Sequence, residues 1–109
     1  GSGEVKWERS GENSEARFVY NKERTTVIFD KDGNTLKTRI AVTRSALPKA
    51  VQDNLDQAFS KYEVHTITKV ETSAGVSFEA TMLQGSDLLT LIWDRGGKLV
   101  GRNIARQQK

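Results

Sequence analysis

The sequence repeats itself at an offset of 64 residues, and this self-similarity limits the fold more than any other feature. Val27-Ile28-Phe29-Asp30 overlays Leu91-Ile92-Trp93-Asp94, and Gly33 overlays Gly97. Thr26 overlays Thr90, Glu15-Ala16 overlays Glu79-Ala80, and Ile40 overlays Ile104. A one-residue shift brings Lys6-Trp7-Glu8 onto Lys69-Val70-Glu71. Each copy therefore reads as about four strands, with an apolar-Asp-x-x-Gly turn before the last.

The local patterns agree with that reading. Val5 to Arg9, Glu15 to Tyr20, Arg24 to Phe29 and Leu36 to Val42 alternate or are rich in strand formers, as do His65 to Thr72, Val76 to Leu83, Leu88 to Trp93 and Leu99 to Ile104. Short polar and Gly-containing connections between them favour antiparallel hairpins. One segment changes period: Leu47, Val51, Leu55, Ala58, Phe59 and Tyr62 recur three and four apart, the stripe of an amphipathic helix over about 46–61. Ser45 is its expected N-cap and Pro48 falls in the first turn. The fold class expected is α+β: a curved antiparallel sheet of about eight strands from two four-strand repeats, with one helix on one face. Residues 1–3 read as a cloning scar and 4–109 as a single domain, with repeat one at about 4–42 and the repeat-two strands at about 64–105. Repeat one has no equivalent helix in this sequence: either the ancestral helix was lost or it was trimmed away, and apolar sheet surface is left uncovered unless the single helix spans both halves or a partner chain covers it.

Composition narrows the function classes. The net charge of +3 comes from 17 basic and 14 acidic residues that are interspersed, which is no nucleic-acid footprint. Lys98, Arg102, Arg106 and Lys109 form a basic end expected to be solvated. The chain has no cysteine, which excludes disulfides, thiol catalysis and Cys-based zinc sites. No apolar run approaches the roughly 20 residues of a membrane-spanning helix, and no signal peptide is present.

Candidate chemistry reads as structure. Asp30-Lys31-Asp32-Gly33-Asn34 lacks the glycine and acid positions of a calcium loop and reads as a hairpin turn. His65, the one histidine, has no nucleophile or orienting partner in its neighbourhood. Asp53 and Asp56 share the polar side of the helix, where no cleft forms between them. Trp7, Trp93, Phe18, Tyr20, Phe29, Phe59, Tyr62 and Phe78 fall on the apolar faces and are expected mostly in the core. No cofactor and no metal is expected.

Val5-Lys6-Trp7-Glu8, Ala16-Arg17-Phe18, Thr25 to Asn34, Leu47-Pro48-Lys49-Ala50-Val51, Lys61-Tyr62 and Asp94 to Leu99 together resemble the PepSY-like family, whose fold is similar to the β-lactamase inhibitor protein (BLIP-like). The resemblance runs from Val5 to about Val100. It implies a secreted or periplasmic setting, a sheet packed on helices, no catalytic activity and no catalytic residues to carry over; its inhibitor label describes a fold. This chain departs from the family in lacking a first helix. The expected function is non-enzymatic binding of a protein or peptide in the bacterial envelope, with no nucleic acid and no membrane insertion. The expected contact surface is the sheet face opposite the helix, concave and carrying Arg17, Val19, Thr26, Ile28, Lys37, Arg39, Glu79, Thr81 and Leu83; an added strand at a sheet edge is another route. The competing classes are self-association into an assembly such as a homodimer, an enzyme or metal-dependent protein, and a small-molecule carrier, which would need a closed apolar cavity.

Overall fold

The computed structural model describes residues 4–106, with Arg106 in backbone only. Residues 1–3, expected to be a scar, and Lys109 lie outside the described residues. Eight strands form one sheet in the order of the chain: β1 Lys6–Ser10, β2 Asn13–Tyr20, β3 Glu23–Phe29, β4 Thr35–Ala41, β5 Glu63–Thr72, β6 Gly75–Gln84, β7 Asp87–Asp94 and β8 Leu99–Arg106. Every neighbouring pair is antiparallel. The sheet is open and curved, as the two-repeat reading expected.

The repeat is carried by local turn chemistry. Asp30 Oδ1 accepts from the backbone N–H of Asp32 and Asn34, both at 2.9 Å, and Asp94 Oδ1 accepts from Gly96 at 3.0 Å and Lys98 at 2.9 Å. Both loops close the same way, Gly33 N–H to Asp30 O and Gly97 N–H to Asp94 O, and both need a left-handed glycine, at φ +88° and +93°. The backbone N–H of Asn34 and then its side-chain amide hold the Asp30 carboxyl below its ordinary range. Each loop is preceded by a bulge, between Ile28 and Phe29 in one half and Ile92 and Trp93 in the other.

The first strand of each repeat departs from the sequence alignment. Trp7 pairs with Ala16, whereas Ala80, the equivalent of Ala16, pairs with Ile67. Trp7 therefore corresponds to Ile67, not to Val70. The Lys-x-Glu match slips the strand by an odd number, so it does not reflect the strand register, although Trp7 does lie on the helix-side face expected from alternation.

One helix, α1 Lys49–Ala58, crosses between β4 and β5 and lies on one side of the sheet. It is shorter than 46–61. Leu47 precedes a proline and is extended (φ −77°, ψ 148°), which bars it from the helix. Pro48 takes the N-cap position, and Ser45 sits in a 3-10 turn, Arg44–Ala46, without capping α1. Arg44 pairs with Asp56 and ties that turn to the helix. Phe59 and Tyr62 lie past the helix end yet still pack on the core, in an edge-on pair at 5.8 Å. Ala58 is exposed.

The core is one-sided. Leu47, Val51 and Leu55 meet Phe78, Ala80, Met82, Leu89, Leu91 and Trp93. All six sheet residues lie on β6 and β7, in the second repeat. Trp93 is fully buried and donates its Nε1–H to Asn54 Oδ1 at 3.0 Å, which fixes the helix azimuth. The helix therefore does not span both halves.

Candidate binding face

Residues paired across an antiparallel ladder share a face, so the registers sort every side chain. Trp7, Ala16, Val27 and Thr38 form one row on the helix side. Arg17, Thr26, Arg39 and Val70 form a row on the open side, with Ile28 and Lys37 beside it. Val19 pairs with Arg24 on the same side. Glu79 pairs with Thr68 and Ile92, Thr81 with Thr66 and Thr90, and Leu83 with Leu88. All nine residues expected on the contact face thus have the same orientation.

They fall in two groups, six on β2–β4 and three on β6, separated by β5. One ion pair joins them: Arg39 Nη1 reaches over β5 to Glu79 Oε2 at 2.6 Å. Glu79 Oε2 is buried and has no hydrogen-bond partner besides this contact. Val70, which lies beside Arg39 in the same row, is buried although its face carries no helix. Arg17 pairs with Glu15 at 3.0 Å and Glu8 at 3.5 Å. Thr66 and Thr81 share a hydroxyl contact at 2.5 Å. We expect Arg39→Met to cost about 1–2 kcal/mol, since it strands a half-buried carboxylate. Replacing both partners with apolar residues should cost less than that single change. Urea denaturation of the two singles and the double decides this, and a double mutant weaker than Arg39→Met would refute it.

The sequence reading missed Val70, Thr68, Thr66, Ile92, Thr90 and Leu88, which complete this face on β5 and β7. Two depressions open at its β1–β4 end. One of 420 Å³ is lined by Lys6, Arg17, Val19, Arg24 and Thr26 among others. The other, of 570 Å³, includes Arg24, Arg39, Ala41, His65, Thr66 and Thr68. His65 sits at the bulge of β5 and is exposed. Among the described residues no group of three or more His, Asp or Glu converges as metal ligands would, and no helix is long and apolar enough to cross a membrane. Lys98 and Arg102 are exposed.

The aromatic expectation needs correction. Trp93 and Phe78 are buried, but Trp7 and Tyr20 are 66% and 65% exposed. Both lie on the helix side of the first repeat, which α1 does not reach.

An open eight-strand meander with one face half covered by a single helix, and with polar and aliphatic residues interleaved on the other, defines a non-barrel α+β sheet protein. Solved structures place it more narrowly, in the BLIP-like fold. A BLIP-like protein from Bacteroides fragilis matches with TM-score 0.83 at 23% identity, over 96% of this chain and 77% of that one. A protein from Bacteroides eggerthii described as periplasmic matches with TM-score 0.86 at 18% identity, over 94% and 77%. A DUF2874 family protein from Bacteroides uniformis matches with TM-score 0.85 at 17% identity, over 92% and 76%. No family model and no curated protein matches the chain. At these identities the likeness is one of fold.

Proposed function

We propose that this chain is a non-enzymatic, PepSY-like binding module of the bacterial envelope that takes a protein or peptide on the open face of its sheet. The carrying observation is the Arg39–Glu79 bridge: it links two groups of side chains into one continuous surface, with the aliphatic patches of Val70, Ile28 and Ile92 beside it. Such a mixture offers apolar contact together with charged groups that fix register, as protein interfaces do. The likeness to BLIP-like proteins and to one described as periplasmic supports the envelope setting. The sheet edges at β1 and β8 give a second route, addition of an extended strand.

The test is selection of random peptides on the immobilised chain, followed by binding to face variants. Ile28→Asp should weaken the selected peptides at least tenfold, while Tyr20→Asp, on the opposite face, should leave them unchanged. Peptides that bind both variants equally would sink the reading. Self-association through exposed sheet surface is the alternative, favoured by the exposed Trp7 and Tyr20; it requires a mass that rises with concentration in light scattering.

A further inference from the structure

Five of the six hairpins in the sheet turn on a glycine at positive φ: Gly11, Gly33, Gly75, Gly85 and Gly97. The β2–β3 hairpin does not. Tyr20 pairs with Glu23, which leaves a two-residue turn, and both of its residues are left-handed, Asn21 at φ +51° and Lys22 at φ +67°. Asn-Gly is the favoured pair for such a turn. Asparagine tolerates the conformation, but a lysine there is strained. The fold gives nothing back for that strain, since Lys22 is exposed and its ammonium has no ion-pair partner among the described residues.

What Lys22 does border is the depression of 570 Å³ between this turn and β5. Arg24, Arg39 and His65 line it with Lys22, and Thr66 and Thr68 supply hydroxyls. By register Arg24, Arg39, Thr66 and Thr68 all belong to the open face. Glu23 is the one acid in the lining, and its pairing with Tyr20 puts it on the helix side. The cations differ in what they already hold. Arg39 is engaged by Glu79 at 2.6 Å, and Arg17, further along the same face, by Glu8 and Glu15. Arg24, like Lys22, is exposed and has no ion-pair partner among the described residues. One rim of the hollow therefore carries two unneutralised cations, where Arg17 and Arg39 are each matched by an acid of this chain.

We infer that this depression receives the carboxylate of an aspartate or glutamate side chain on the peptide that the open face binds, with Lys22 and Arg24 as the cations that meet it. The inference rests on the open-face reading and adds the partner's charge to it. Charge complementarity selects an acidic segment, and the aliphatic Ile28 and Val70 on the same face select apolar residues beside the acids. Cations on long side chains at the rim of a hollow attract such a segment and fix its orientation, which is the usual part of charge in recognition. The strain at Lys22 then has a use. Glycine would relax the turn, but it would remove the cation.

The probes are two fluorescein-labelled octapeptides, one alternating aspartate with valine and one alternating asparagine with valine. Anisotropy should give the acidic peptide a Kd on the order of 0.1–1 mM in dilute buffer, at least tenfold tighter than the neutral one. Raising the salt from about 20 to about 200 mM should weaken the acidic peptide severalfold, because exposed charges are screened. Lys22→Gln combined with Arg24→Gln should weaken it at least fivefold. Lys98→Gln combined with Arg102→Gln, an equal loss of charge at other exposed positions, should change it less than twofold. Lys22→Gly alone should raise the thermal midpoint and weaken the acidic peptide, a combination that a purely structural lysine does not give. Equal binding of the acidic and neutral peptides on the open face would overturn this inference and leave the open-face reading standing. No binding of the acidic peptide at millimolar concentration, equal losses from the two double variants, or an affinity indifferent to Lys22→Gly would overturn it as well; random peptides that bind the face without acidic residues would still support the reading. An oligothymidylate octamer that binds more tightly than the acidic peptide, and loses that binding with Lys22 and Arg24, would overturn it too, because the occupant would then be a nucleic acid.

Discussion

Trp93→Ala is expected to remove about 3–5 kcal/mol of stability, a large share of the roughly 5–15 kcal/mol that a domain possesses. Trp93 is the largest fully buried side chain among the described residues, and it anchors α1 to the sheet through both its ring and its hydrogen bond to Asn54. Removing the indole leaves a cavity between α1 and β7 and deprives the half-buried Asn54 oxygen of its donor. Trp93→Phe should cost less, since a ring remains in place and one hydrogen bond, worth about 1 kcal/mol, is lost along with some volume. Trp7→Ala, at the opposite extreme, should cost under about 1 kcal/mol, because Trp7 loses only its stacking on Phe29 and little burial. Urea unfolding of the three variants gives the ranking. A Trp93→Ala loss as small as that of Trp7→Ala would mean that α1 does not organise the core.

Gly97→Ala should be the more damaging of two formally identical changes. Both Gly33 and Gly97 sit at positive φ, so alanine at either pays a backbone penalty of roughly 1–2 kcal/mol. At Gly97 the new methyl also collides with Ala50, and overpacking of this kind typically adds about 1–3 kcal/mol. The difference between the two variants isolates the presence of a helix above one turn and its absence above the other. Equal thermal midpoints for Gly33→Ala and Gly97→Ala would contradict the close approach of α1.

What the sequence reveals depends on how local the determining chemistry is. The twin Asp turns were legible because an aspartate, a glycine three residues after it and the flanking apolar residues settle the loop by themselves. The side of the sheet on which each of the nine expected contact residues lies was legible from alternation. Alternation could not tell whether a face would be covered, and so Trp7 and Tyr20 were assigned to a core that α1 does not extend to. β7 hid its open side because Leu88-Leu89 and Leu91-Ile92-Trp93 are apolar toward both faces, which erases the period of two. The start of α1 was misplaced because Ser45 has the chemistry of a cap, whereas the extended backbone that Pro48 imposes on Leu47 decided the boundary. The slip at β1 arose because residue identity and strand register are separate properties, and only pairing with Ala16 fixes the second.

The order of the strands has a kinetic meaning. Each strand bonds only to its neighbours along the chain, and the longest excursion between paired strands is the 21 residues from Ala41 to Glu63 that carry α1. Folding can thus advance like a zipper, one hairpin templating the next, without long-range searches. The second half, stiffened by its helix, is the natural starting point. The first half is then the last to close and the first to open, so the part of the molecule with the most unclaimed apolar surface is also the part whose cohesion a bound partner can change most.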